Sequence, residues 1–383
     1  MFSRRSFLLS MQAPTVRREV FRPSPKPGVA VMAFAWYTKA TGGEMMSIEQ
    51  HWTRSDTIDK AFYRFSNNNG RNWSEPVERA TGEKTPKGML RRHLRGGWVD
   101  PKSGRFVEIW NEGVLPGDDP LEGLKQWNIF WRVNRNDPGR PVVHKGAEYS
   151  AAHPLPGIWI GKNSVMLGDS GYNVITMIDG SFLLPVTYAP VDADGKLYNP
   201  TGGYTFHDAA VLTGRWKGDD IEWEMSAPIK ADPAKSTRGW DEPTIARLDR
   251  QHLMMVLRGS NDKKPTLPSH KWVSFSQDNG RRWTPPQAWA YDDGEAFFSP
   301  SACSQLLAHS NGRLYWLGNI TPENPRGNRP RYPFVIGEVD RGTGRLKRSS
   351  VRVVDTKQEN DDPILTLSNF YAREDRETNE IVI

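Results

Sequence analysis

Two octads with the same layout indicate the fold: Ser66-Asn67-Asn68-Asn69-Gly70-Arg71-Asn72-Trp73 and Ser276-Gln277-Asp278-Asn279-Gly280-Arg281-Arg282-Trp283. They share Ser, Gly and Trp at identical spacing, and each follows an aromatic-rich stretch, residues 62–65 and 272–275. Asn or Asp at the third position can hydrogen-bond its own backbone. Gly permits a positive φ, and Trp can pack back over the turn. Each octad therefore predicts a tight hairpin between two strands.

Short apolar runs extend this pattern along the chain. Runs such as residues 29–35, 182–186, 253–257 and 314–317 are bounded by Gly, Pro, Asn or Asp, which is typical of strands. A turn followed by an apolar strand recurs about every 60–76 residues, an internal period typical of β-propellers. Division of the chain by this period predicts an all-β fold, a six-bladed β-propeller. No linker interrupts it, so we expect one domain over residues 18–383.

Composition narrows the classes of function. The chain has 383 residues, a net charge of +6 and one cysteine, Cys303, which excludes an internal disulfide and a cysteine-cluster metal site. No apolar run approaches the ~18 residues of a membrane span. Basic residues come in ones and twos, which favours a small acidic partner over nucleic acid. No metal-ligand spacing, P-loop or dinucleotide fingerprint is present, so we expect no cofactor.

The N-terminus resembles an export signal. Ser3-Arg4-Arg5-Ser6-Phe7-Leu8-Leu9 matches the core of a twin-arginine signal, but the apolar segment that should follow is interrupted from Gln12 onward. Residues 1–17 are therefore interpreted as a truncated or degenerate signal, with a chance match as the alternative. This predicts a periplasmic or secreted protein. A cytoplasmic location stays open, because one free cysteine suits either compartment.

The octads resemble Asp boxes, the Ser-x-Asp-x-Gly-x-x-Trp repeats of the sialidase (neuraminidase) superfamily, with Asn68 where Asp is usual in the first octad. In that family the boxes lie at blade edges, away from the active site. They therefore indicate fold and not chemistry. The resemblance implies a β-propeller of sialidase type.

The same resemblance implies an arginine clamp for a substrate carboxylate. Arg22 looks like the first arginine of the sialidase triad, Arg258 like the second, and Arg331 like the third, with Arg329 as its alternative. Three guanidiniums suit one carboxylate because each can form a planar, bidentate contact. Glu242 resembles the family's glutamate. A structural ion pair between Glu242 and Arg258 is the other reading.

The resemblance also implies catalytic residues. Asp56 lies at the position of the general acid, ten residues before Ser66, with Asp59 as a rival. Tyr371 would be the nucleophile and Glu242 its partner, since a neutral phenol does not repel the substrate carboxylate. Asn369 or Phe370 could instead occupy the place of that tyrosine. In that case the sialidase mechanism would fail.

Three further residues are candidates for binding substrate: Tyr204, His207 and Trp240. The leading function is an exo-acting glycoside hydrolase of the exo-α-sialidase class, a monomer that removes a terminal acidic sugar from a glycan. One alternative is a polysaccharide lyase on a uronic acid, with His207 or Tyr204 as the base. The other is a non-catalytic carbohydrate-binding propeller. Product analysis separates the three, because a lyase leaves an unsaturated sugar and a binding protein leaves no product.

Overall fold

The computed structural model describes residues 15–125, 127–142, 165–168, 173–192, 194 and 196–383. Nearly all of the predicted export signal, residues 1–14, lies outside these ranges. Within them the chain is built almost entirely from antiparallel sheets, and its helical segments are two 3₁₀ turns, Pro120–Lys125 and Arg348–Ser350. The all-β prediction is confirmed.

Five sheets follow one another along the chain, and a two-stranded ribbon ends it. The first sheet contains β1 (Ala30–Tyr37), β2 (Met45–Trp52), β3 (Lys60–Ser66) and β4 (Val77–Arg79). The second contains β5 (Gly82–Thr85), β6 (Gly88–Val99), β7 (Phe106–Leu115), β8 (Asn128–Arg132) and β9 (Arg140–Pro141). The third contains β10 (Val165–Met166), β11 (Ile175–Thr176), β12 (Phe182–Tyr188), β13 (Asp208–Lys217) and β14 (Asp220–Met225). The fourth contains β15 (Asp241–Arg247), β16 (Leu253–Arg258), β17 (Lys271–Ser276) and β18 (Gln287–Ala288). The fifth contains β19 (Gln305–Ala308), β20 (Leu314–Asn319), β21 (Phe334–Val339) and β22 (Arg352–Asp355). The ribbon pairs β23 (Arg373–Glu374) with β24 (Ile381–Val382).

Each sheet is a blade in which strands pair in the order of the sequence, except that β10 and β11 of the third blade both pair with β12. The middle strands are buried on both faces, which explains why β12 and β16 read as nearly continuous apolar runs. The last strands of the first and fourth blades, β4 and β18, are short and half exposed. Short outer strands of this kind limit edge-to-edge association.

The prediction of six blades is wrong, because the described residues form five sheets of four or five strands. After β22 ends at Asp355, residues 356–383 contain only the ribbon, and this segment is shorter than any of the five blades. The number was wrong because it came from dividing the chain length by the repeat period. The period could not show that the C-terminal residues form two short strands instead of a complete sheet.

Apolar clusters join each blade to the next. Separate clusters lie between blades one and two, two and three, three and four, and four and five, and a fifth joins blade five to the C-terminal segment. The C-terminal segment also contacts blade one. The Asn69 side-chain amide donates to Asp375, and the backbone N–H of Arg376 donates to the Tyr37 hydroxyl. The blades are therefore linked into a ring.

The two octads adopt the same turn. The N–H of Gly70 donates to Ser66 Oγ at 3.0 Å, and the N–H of Gly280 donates to Ser276 Oγ at the same distance. Both glycines have a positive φ, +79° and +81°, a conformation that a side chain would strain. Trp283 closes its turn by donating from Nε1 to the Gly280 carbonyl at 3.0 Å. Local side-chain chemistry thus fixes both hairpins, as the sequence predicts.

Candidate active site

A cavity of about 720 Å³ opens where the five blades meet. Residues from every blade and from the segment before the ribbon form its wall. Many of the lining residues carry ionisable groups. These groups are Arg54, Asp56, His93, Arg95, Tyr204, His207, Arg238, Asp241, Glu242, Arg258, Asp262 and Arg331. Six of the nine residues predicted from sequence are among them: Asp56, Tyr204, His207, Glu242, Arg258 and Arg331.

Blade four contributes an ion pair at the cavity wall. Arg258 ends β16 opposite Asp241, and the register of β15 shifts between Asp241 and Thr244. At this irregularity Glu242 takes a positive φ of +41°, which is uncommon for a residue with a side chain. Glu242 Oε2 accepts a hydrogen bond from Arg258 Nη1 at 2.6 Å. Burial acts against the charged guanidinium, but Glu242 and Asp241 together raise the pKa of Arg258.

Three arginines form a cationic cluster in the cavity. Burial, followed by the charge of Arg258, lowers the pKa of both Arg238 and Arg331. Arg258 Nε donates to Ser301 Oγ at 2.9 Å, and Arg331 Nη2 donates to the Ser301 carbonyl at 3.1 Å. Arg331 Nε is buried and has no hydrogen-bond partner among the described residues. It is therefore an unsatisfied donor that is not accessible from the cavity.

A carboxylate and a phenol meet on another part of the wall. The Tyr204 hydroxyl donates to Asp56 Oδ2 at 3.0 Å, and the Ser55 hydroxyl reaches the same oxygen at 3.2 Å. In the described part of the chain, no hydrogen bond occupies Asp56 Oδ1. Burial, the charge of Asp56 and their hydrogen bond raise the pKa of Tyr204, so its phenol stays protonated at neutral pH. The Arg238 guanidinium lies 5.5 Å from the centre of the Tyr204 ring.

His207 and Asp241 form a second pair. His207 Nδ1 lies 3.3 Å from Asp241 Oδ1, although the contact is poorly aligned for a hydrogen bond. Burial would raise the pKa of Asp241, but His207, Arg258 and Arg238 hold it well below the usual value. Asp241 is therefore ionised. His207 Nε2 is buried without a hydrogen-bond partner among the described residues, so it can serve as an acceptor or donor.

The second blade adds a wall that the sequence reasoning missed. His93, Arg95 and Asn111 lie on β6 and β7, and Trp127 precedes β8. The His93 ring tilts against Trp127 with 4.5 Å between ring centres. Burial and the charges of Arg95 and Arg91 lower the pKa of His93 well below its ordinary value, so its imidazole is neutral. No motif in β6 or β7 indicated that these side chains would line a cavity.

Three predicted residues are not in the cavity wall. Arg22 Nε lies 3.6 Å from Glu49 Oε2, and its guanidinium stacks on the Phe21 ring at 4.3 Å. Trp240 is fully buried in the cluster between blades three and four.

Tyr371 packs against the cluster between blades one and two, with its ring 5.1 Å from that of Trp36, and burial raises its pKa to about 12. Asn369 lines the cavity in its place. Arg238, which the sequence reasoning did not select, occupies the cavity with Arg258 and Arg331. Its segment, Thr237-Arg238-Gly239-Trp240, carries no recognisable motif.

The described ranges lack two further features. They contain no group of three or more His, Cys, Asp or Glu side chains arranged to hold a metal ion. They also contain no helix that is long and apolar enough to cross a membrane.

The fold of the described residues is a β-propeller, and it resembles the folds of two solved glycosidase structures. No protein-family model matches the chain, and no curated protein matches it. A Hadza microbial sialidase matches in structure with a TM-score of 0.54 and 14% identity, covering 84% of this chain and 58% of the sialidase. The chain thus spans just over half the length of that enzyme. The GH93 α-L-arabinofuranosidase of Fusarium graminearum, solved with arabinobiose, matches with a TM-score of 0.50 and 14% identity, covering 92% and 86% of the two chains. At such identity the likeness concerns the fold.

Proposed function

We propose that this protein is a glycoside hydrolase that removes a terminal acidic sugar from a glycan. The observation that carries the proposal is the shared cavity, in which three arginines lie in the same space as the Asp56–Tyr204 pair. The glycosidase names of the structural neighbours support the reaction class. A sugar carboxylate fits the cationic cluster because arginine binds carboxylates through paired, charge-assisted hydrogen bonds.

In this proposal Arg238, Arg258 and Arg331 hold the sugar carboxylate. Glu242 orients Arg258 through the 2.6 Å contact to Nη1, and Ser301 fixes Nε of the same guanidinium. The Ser301 carbonyl holds Arg331 through Nη2. Arg22 has no part in the clamp because it is engaged with Glu49 outside the cavity.

Asp56 is the general acid. Its Oδ2 is held by Tyr204 and Ser55, which leaves Oδ1 to donate a proton to the glycosidic oxygen as the bond to the sugar carbon breaks. Tyr204 orients the acid. His207, beside ionised Asp241, accepts a proton from the water that attacks the sugar carbon. Tyr371 has no role in this scheme, which therefore differs from the tyrosine-nucleophile mechanism that the sequence resemblance implies.

The test is a product analysis on two substrate groups, sialyl-oligosaccharides and glucuronate-terminated oligosaccharides. We expect release of the free acidic sugar by the wild type and a loss of about 10²–10⁴-fold in turnover for Asp56→Asn, as for removal of a positioned acid. Asp59→Asn is the matched control, since Asp59 binds Thr53 and does not line the cavity. Equal losses in both variants, or no product from either group, would contradict the proposal.

A lyase is the second candidate, and the His207–Asp241 pair beside three arginines favours it. The arginines would neutralise the carboxylate of a uronic acid while His207 takes the neighbouring proton, and the leaving group would depart with formation of a double bond. Its product absorbs ultraviolet light. Such absorbance in the same assay would establish elimination and exclude hydrolysis. Saturable binding without any product would identify a binding protein.

A further inference from the structure

A buried lysine lies beside the arginine cluster. Lys271 is the first residue of β17, it pairs in register with Arg258 of β16, and none of its surface is exposed. Its ammonium Nζ donates to the carbonyls of Pro300, at 3.4 Å, and of Ala302. Among the described residues, no carboxylate forms an ion pair with it.

The two carbonyls that Lys271 binds lie on either side of Ser301, the residue that two of the three clamp arginines contact. Arg258 binds the Ser301 hydroxyl and Arg331 binds the Ser301 carbonyl. The N–H of Ser301 donates to the Gly327 carbonyl at 2.8 Å. The position of Ser301 therefore depends on Lys271 through both of its neighbours in sequence.

This arrangement is costly for the fold. An ammonium without a counter-ion loses its hydration when buried, and two nearby guanidiniums repel it. Burial, and after it the charge of Arg258, lowers the pKa of Lys271 to about 7. An apolar side chain of similar size would avoid this cost. The presence of a lysine at this position is explained if its hydrogen bonds hold residues that shape the cavity.

We propose that Lys271 is a positioning residue for acidic-sugar binding, which fixes residues 300–302 so that Ser301 orients Arg258 and Arg331 together. The identity of the ligand rests on the proposed function. The effect on the two arginines does not, because it follows from contacts within the protein.

The experiment compares three variants of the full chain. Lys271→Met keeps the length of the side chain and removes its donors, while Lys271→Gln keeps a neutral donor. Lys235→Met is the matched control, because Lys235 also donates to a carbonyl, that of Pro286, but lies outside the cavity wall.

Two measurements are made on each variant. In protein labelled with ¹⁵N-arginine, the Nε–H signal of Arg258, assigned with Arg258→Lys, reports the hydrogen bond to Ser301. Calorimetric titration with free N-acetylneuraminic acid and with glucuronic acid reports carboxylate binding.

We expect Lys271→Met to shift the Arg258 signal and to weaken binding of the acidic sugar that the wild type binds by about 10- to 100-fold, as when a charge-assisted contact is lost. Lys271→Gln should restore part of the Arg258 signal position and part of the sugar affinity. Lys235→Met should match the wild type in both measurements. An unchanged Arg258 signal in Lys271→Met would overturn the proposal. If the wild type binds neither sugar, the proposed function fails, and the Arg258 signal alone decides the role of Lys271.

The proposal can still be tested if Lys271→Met does not fold. Ser301→Ala removes only the hydroxyl that Arg258 Nε contacts and leaves the backbone carbonyl for Arg331. If Lys271→Met fails to fold, Ser301→Ala should still shift the Arg258 signal and weaken sugar binding. Unchanged values in Ser301→Ala would show that Ser301 does not position the clamp, and the proposal would be wrong.

Discussion

The buried ammonium of Lys271 predicts an unusual dependence of stability on pH. Burial, reinforced by the charge of Arg258, lowers its pKa to about 7 from the ordinary value of 10.5 for lysine. Between these two values the unfolded chain holds a proton that the native state has released. The free energy of unfolding therefore rises with pH across this window, since stability increases wherever the unfolded state binds more protons. Below pH 7 both states are protonated and the contribution is flat.

The expected size follows from the shift. Each unit of pKa difference corresponds to about 1.4 kcal/mol, so the free energy of unfolding should gain roughly 3 kcal/mol from this group between pH 7 and pH 9.5. Other groups titrate over the same range, and Lys271→Met removes only this one. The difference in unfolding free energy between wild type and Lys271→Met isolates the contribution.

The assay is equilibrium urea unfolding, followed by tryptophan fluorescence, at half-unit steps from pH 6 to pH 9.5. The free energy of unfolding of the wild type, minus that of Lys271→Met, should increase by roughly 3 kcal/mol as the pH rises from 7 to 9.5. Lys235→Met, whose lysine is exposed, should show no such trend relative to wild type. A flat difference for Lys271→Met would refute the reasoning, because it would mean that Lys271 keeps its proton in the native state.

Three further predictions concern the cavity and the octads. Arg258→Lys should weaken binding of the acidic sugar about 10- to 100-fold in calorimetry, because an ammonium cannot reproduce the paired contacts to Glu242 and Ser301; unchanged affinity would remove Arg258 from the clamp. Tyr371→Phe should leave turnover unchanged, because its hydroxyl lies outside the cavity wall, whereas complete inactivation would restore it as the nucleophile. Trp283→Ala should lower the free energy of unfolding by roughly 3 kcal/mol, as for a truncated core aromatic, and leave sugar affinity of the folded protein intact; a loss of affinity at constant stability would place this tryptophan at the ligand.

The octads show how far local chemistry alone predicts the fold. Ser276, Asp278 and Gly280 bind one another within five residues, so the hairpin can be read directly from the sequence. The number of blades cannot be read this way. It depends on whether the segment after β22 pairs into a full sheet, which is a matter of contacts between residues distant in sequence.

The residues of the cavity also fall into two groups, those that the sequence predicts and those that it does not. Asp56, Glu242 and Arg258 belong to motifs that resemble those of a known family, and the structure brings them into the same cavity. Arg238 and His93 carry no motif, and only the closing of the ring places them there. The choice between Tyr371 and Asn369 rests on packing, because Asn369 takes a positive φ of +57° and its N–H donates to Cys303 Sγ at 3.2 Å. Nothing in the local sequence sets that contact.

The balance of charge in the cavity links the clamp to the acid. The described cavity wall carries five guanidiniums, those of Arg54, Arg95, Arg238, Arg258 and Arg331, and four carboxyl groups, those of Asp56, Asp241, Glu242 and Asp262. Asp118 pairs with Arg54 but also with Arg91, so it does not cancel the charge of Arg54 alone. In the proposed mechanism Asp56 carries the proton that it delivers, which increases the excess of positive charge. A sugar carboxylate would offset part of this excess and a neutral sugar would not, so we expect a preference for anionic sugars.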